Sequence, residues 1–250
     1  MKIIIDNIGV WNQAQLLSLI FTILIIFVIS LIVFIKIKKH KKINKAPSAT
    51  QIIAEAYVTG VDNTYDETSS NKLPIARFYI FSLATFLLVG NMLGLIGLEP
   101  IATSYSVTFT LAAITFVGIY LVGFWYQRFR FLRRYANPVE LIGQFSPLIS
   151  LSARMFGNIT GGAVILASVY YAAGWIWSLI FPGPQLYFFA TIITPWMHMF
   201  FDIFGAVIQA LIFTVLTTIY WSNEVEIKQK KQNIKQKNKT NIINYSKNIY

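Results

Sequence analysis

The chain alternates between long apolar blocks and short polar or basic connections. Residues 16-35 (LLSLIFTILIIFVISLIVFI) form the first block and carry no charge. As a helix they cover roughly 30 Å, the thickness of bilayer hydrocarbon. Residues 78-98 and 106-127 form two more blocks, joined by a link that holds Glu99 and Pro100 but no Lys or Arg. The last two blocks, 138-173 and 185-221, would each run about 54 Å as continuous helix, too long to stand upright in the membrane. The pattern therefore predicts two strongly inclined helices paired as a membrane hairpin, bent near Pro147 and Pro195.

Residues 46-74 are polar, with Pro47, a helix start at Ser48 or Thr50, and a stretch of Asp, Glu, Ser and Asn that ends at Pro74. They predict a short cytoplasmic helix followed by a loop. The fold class is all-α integral membrane protein with about five transmembrane helices. Its expected organisation is an N-terminal helix with a basic cytoplasmic end over 1-45, a cytoplasmic segment over 46-77, a membrane domain over 78-221 and a basic cytoplasmic tail over 222-250.

Charge changes this picture by giving it an orientation. The chain is 56% hydrophobic and 12% charged, and its 21 Lys and Arg against 10 Asp and Glu leave a net +11. Such a balance can serve nucleic-acid binding, but every cation except Lys2 and Arg154 falls in or beside three connections between apolar blocks. That distribution is a topology signal, not a nucleic-acid footprint. Lysines follow the first block from Lys36 to Lys42, the run QRFRFLRRY follows the third, and seven Lys lie beyond Asn223. The links around Glu99 and FPGPQ lack Lys and Arg. Five crossings then obey the positive-inside rule, with the N-terminus outside and the C-terminus in the cytoplasm. A cleaved signal peptide would carry its positive charge before the apolar run, not after it. The tail is expected to be disordered or loosely helical at the lipid surface.

With no Cys, disulfides and thiolate chemistry are excluded, and two His are too few for a zinc cluster. No cofactor or metal is expected. The chemistry instead points to ionisable residues inside the last two blocks, where a charge costs roughly 2.5-3.5 kcal/mol and so marks a pathway. Glu140 and Arg154 lie on the fourth block, 14 residues and just under four turns apart, about 21 Å along one face. Ser150 and Asn158 flank Arg154 at four residues on either side, and Gly157-x-x-x-Gly161 would let another helix approach closely. On the fifth block His198, Asp202 and Gln209 fall at i, i+4 and i+11, again near one face. The order in depth is an acid toward the cytoplasm, a fixed cation in the middle, and an acid with an imidazole toward the outside. Arg does not deprotonate, so a proton cannot hop through it, and two half-paths separated by a permanent charge are what this order suggests. Blander roles exist for each: Arg154 paired with Asp202, Glu140 as an interfacial cap, His198 as an interfacial residue, Gln209 as inter-helix glue.

The runs NPVELIGQFSPLISLSARMFGNITGG and PWMHMFFDIFGAVIQALIFTVLTTIYWS closely resemble subunit a of F-type ATP synthases; GNMLGLIGLEP and SVTFTLA resemble its second and third spans more weakly. The resemblance implies a stator that faces a rotating c-ring of carboxylate-bearing hairpins, with peripheral-stalk b subunits and the rest of the ATP synthase complex as partners. The chain itself would carry out no catalysis, and a bacterial plasma membrane is the expected location. Arg154 would be the essential arginine, Asn158 a partner in the half-channels, Glu140 the acid of the cytoplasmic path, Gln209 the glutamine on the facing helix and Asp202, helped by His198, the outer-path ionisable group. Relatives often carry Glu nine residues after the Arg, where this chain has Ala163, and the Ala153 and Met155 flanks replace the usual Leu residues. Two other classes share some features: a membrane-protein insertase, and an ion-coupled secondary transporter, whose internal repeat is missing here.

Overall fold

The computed structural model describes residues 14-39, 47-128, 145-181 and 187-247, and these contain helices and no strands. The elements are α1 (Ala14–Lys39), α2 (Ala49–Ser69), α3 (Arg77–Met92), α4 (Tyr105–Gln127), α5 (Ser146–Ile180) and α6 (Phe188–Lys247). Short 3-10 turns at Pro74–Ala76, Leu93–Ile96 and Ile101–Thr103 lead into and out of α3. Among the described residues five segments are long and apolar enough to cross a membrane: Leu16–Lys39, Pro74–Ile96, Tyr105–Gln127, Ser146–Ile180 and Phe189–Val225. The last two, at 35 and 37 residues, rise about 52 and 55 Å, so an inclined course follows from length alone.

α6 is the centre of the assembly, packing against α3, α4, α5 and α2; α1 touches only α2, α3 and the Ile101–Thr103 turn. Most of the side chains of α1 are exposed and apolar, as lipid contact requires, while its buried Ser18 and Thr22 are small enough for close helix approach. One core layer joins Leu83 and Leu87 of α3, Ala112 of α4, Leu151 and Met155 of α5, and Ala210 and Phe213 of α6. Met155 is fully buried there, so its departure from Leu is a matter of packing.

A second layer sits where α4 and α6 end. Trp221 stacks on Tyr79 at 5.0 Å and donates its Nε1–H to the Thr115 carbonyl at 3.0 Å. Gln127 Nε2 donates to both the carbonyl and the carboxylate of the buried Glu224, at 2.8 and 3.0 Å. The indole lies flat against Gly118, where an added Cβ would come within 2.3 Å of Trp221 Cζ2. No side chain larger than hydrogen fits there unless the ring moves.

Three expectations are corrected. The segment after Ser48 is a helix of 21 residues and not a short helix with a loop. Ser48 caps it, accepting Gln51 in a capping box, and the acids expected in a loop serve instead as anchors: Asp66 and Asp62 pair with Arg77 at the start of α3. Tyr65, buried in the same junction, donates to the Leu73 carbonyl. Pro147 does not bend α5 but lies in its first turn, where a missing N–H costs no helical bond. The Lys-rich tail is continuous with α6 as helix as far as Lys247. Pro195 does lie inside a helix, and its absent N–H leaves the Thr191 carbonyl without the usual partner.

Candidate functional site

The core-facing edge of α5 is set by Leu151, Met155 and, further along, Leu166. Helical spacing of 100° per residue then turns Arg154, Gly157 and Gly161 away from the core. Arg154 is exposed and makes no ion pair or hydrogen bond among the described residues. An added Cβ at Gly157 or Gly161 would meet nothing within 4 Å, so the glycine pair is not filled by any described helix of this chain. The pairing of Arg154 with Asp202, one of the blander readings of the sequence, does not occur. Instead a lone guanidinium stands on a bare helix face between apolar, exposed Ile149 and Val164.

Asn158 lies one turn on from Arg154, on the edge between that bare face and the contact with α6. An added Cβ on Gly205 of α6 would sit 4.0 Å from Asn158 Nδ2, which shows how near the two helices come. Beyond this edge opens a cavity of about 340 Å³. Asn158 and Ala163 line it from α5, and His198, Asp202 and Gln209 line it from α6. The i, i+4, i+11 spacing thus brings the α6 polar residues into one site, together with Asn158. His198 Nδ1 stands 3.6 Å from Asp202 Oδ2, with His198 53% exposed and Asp202 19%. Gln209 is only 2% exposed. Arg154 is not a lining residue of the cavity, and Glu140 lies outside the described residues.

The end of α3 closes the far wall. Asp202 rests over Gly94, where an added Cβ would be 3.2 Å from both Asp202 Cγ and Oδ2. Two lining residues were missed by sequence reasoning: Asn91 and Thr103. The available signal was an amide in an otherwise apolar span, weaker than a charge and masked by the search for ionisable groups. Ala163 lines the same cavity as Asp202, so a carboxyl at either position would face the same space.

A bundle of five apolar helices with an unneutralised outward-facing cation beside a polar intramembrane cavity defines an ion-translocating membrane subunit. Comparison with known proteins narrows the class. The family model described as ATP synthase A chain matches residues 17–222, and the chain belongs to that family. Similar proteins include ATP synthase subunit a of Mycoplasma genitalium, 31% identical over 242 residues that cover 87% of this chain and 82% of the relative. The subunit a of Ehrlichia ruminantium is 30% identical over 236 residues, covering 88% and 92%, and that of Mycoplasma pneumoniae is 28% identical over 242 residues. The insertase and transporter alternatives are not favoured.

Proposed function

We propose that this chain is the stator-side proton path of a rotary ATP synthase, set in a bacterial plasma membrane with the N-terminus outside and the C-terminus in the cytoplasm. The observation that carries the reading is the unpaired Arg154 on an open helix face. A charge at membrane depth with no counter-charge in its own chain calls for one from elsewhere. A c-ring of small helices, each bearing one carboxylate, supplies that partner, and the open groove over Gly157 and Gly161 gives it room to approach.

In this mechanism the cavity around Asp202, His198, Asn158 and Gln209 is the outer route and Glu140 is the acid of the inner one. A ring carboxylate gives up its proton on one side, passes Arg154 as an anion, and is reloaded on the other. Arg154 does two things there: it holds the anion, and, because guanidinium does not deprotonate, it keeps protons from crossing directly between the routes. Asp202 replaces the acid absent at Ala163. The b subunits of a peripheral stalk would hold the chain against torque.

The test is to isolate the tagged chain from membranes in mild detergent and identify what accompanies it. A ring subunit, stalk subunits and a soluble ATPase head are expected. Recovery with nascent membrane proteins and none of these subunits would replace the proposal with the insertase reading.

A further inference from the structure

Asn91 is the penultimate residue of α3 and only 4% exposed, yet neither its Oδ1 nor its Nδ2 has a hydrogen-bond partner. A primary amide offers two donors and two acceptor sites. Leaving such a group buried and unmatched costs about 1-3 kcal/mol, so a stable fold does not keep one without something to bind. Asn91 lines the cavity that holds Asp202. Gly94, one turn further along, touches the Asp202 carboxylate.

The cavity can hold what the amide lacks. At about 30 Å³ per water, 340 Å³ has room for roughly ten. A site is wet when waters find two to four polar partners; Asn91, Thr103, Asn158, His198 and Asp202 provide them. Thr103 already donates its hydroxyl proton to the Pro100 carbonyl at 2.7 Å, leaving its oxygen to accept. A cation would satisfy Oδ1 but be repelled by Nδ2, whereas water satisfies both.

We infer that Asn91 is a positioning residue of the outer route, holding and orienting water between the cavity mouth and the Asp202 carboxylate. Its amide cannot titrate at physiological pH. It therefore fixes the direction of the waters without competing for the proton they carry. The inference rests on the proposed role of the cavity.

The experiment measures passive proton flux through vesicles containing the complete complex from which the soluble head has been stripped. Asn91→Leu, similar in size and unable to hydrogen-bond, is expected to lower flux at least fivefold with the chain still incorporated at the unsubstituted level. Asn91→Ser, which keeps one donor and one acceptor, should recover at least half. Because the chain has no Cys, Asn91→Cys reports on this position alone, and Ag⁺ should react with it and reduce flux. Flux of Asn91→Leu within twofold of the unsubstituted complex, or a thiol inert to Ag⁺, overturns the inference. If Asn91→Leu fails to assemble, the Asn91→Cys reaction decides. Asp202→Asn run in parallel separates the two levels: blocked flux there with normal flux in Asn91→Leu removes only the role of Asn91, whereas normal flux in both removes the cavity as the outer route.

Discussion

Replacing Arg154 by Ala isolates one electrostatic term, because the structure gives this side chain nothing else to do. It is exposed, makes no hydrogen bond or ion pair among the described residues, and belongs to neither core layer. Stability should therefore change by no more than about 0.5 kcal/mol, the usual range for surface sites. What is lost is the counter-charge for an anion moving along an apolar helix face. A carboxylate there without compensation costs roughly 2.5-3.5 kcal/mol, and at 1.36 kcal/mol per tenfold change in rate the slowing is about 70- to 400-fold. ATP-driven acidification of everted vesicles, followed by quenching of an acridine dye, should fall to background while immunoblots show undiminished chain. Arg154→Lys keeps a point charge but loses the planar fork, and should retain a measurable fraction. Pumping by Arg154→Ala within threefold of the unsubstituted complex at equal chain levels would refute the reasoning.

The remaining predictions concern the cavity, the packing and the α2 anchor. Asp202→Asn should reduce proton flux much more than Ala163→Glu does; equal and mild effects on flux would mean that another group serves the outer route. Gly118→Ala forces the Trp221 ring off its site and should lower unfolding stability in detergent by about 1-3 kcal/mol, the usual cost of overpacking. Gly90→Ala, whose new Cβ would approach the flexible end of Ile101 at 2.4 Å, should cost less, since a methyl can turn aside where an indole cannot. Burial pushes the Tyr57 and Tyr65 phenols above the ordinary 10.0, partly offset by hydrogen bonds with Thr85 and Ser69 respectively. A raised folded-state pKa means that the unfolded chain ionises first, so the contribution to stability is intact below pH 10 and lost as pH rises beyond it. Absorbance at 295 nm during an alkaline titration should show these phenols ionising after the exposed ones, in step with loosening of α2.

The spans were legible because a bilayer imposes length and hydropathy directly on sequence. The grouping of His198, Asp202 and Gln209 was legible too, because helical periodicity alone places i, i+4 and i+11 together. The outward aim of Arg154 was not: it depends on which side of α5 packs, and that was decided by Leu151 and Met155 meeting Leu87 and Phe213 from distant parts of the chain. Asn91 was missed for a related reason. A neutral amide in an apolar run looks like inter-helix glue until the structure leaves it without a partner. The length of α2 was misjudged because Asp62 and Asp66 read as loop residues until Arg77 is seen opposite them.

The unfilled glycines beside Arg154 bear on how a rotor could turn against this surface. Packed helices normally mesh, the ridges of one seated in the grooves of the other, and each seated register is an energy minimum that resists sliding. Around Gly157 and Gly161 the α5 surface has no teeth to engage. A partner passing there would meet little mechanical detent, and the pauses in its rotation would be timed by protonation instead of by steric interlock.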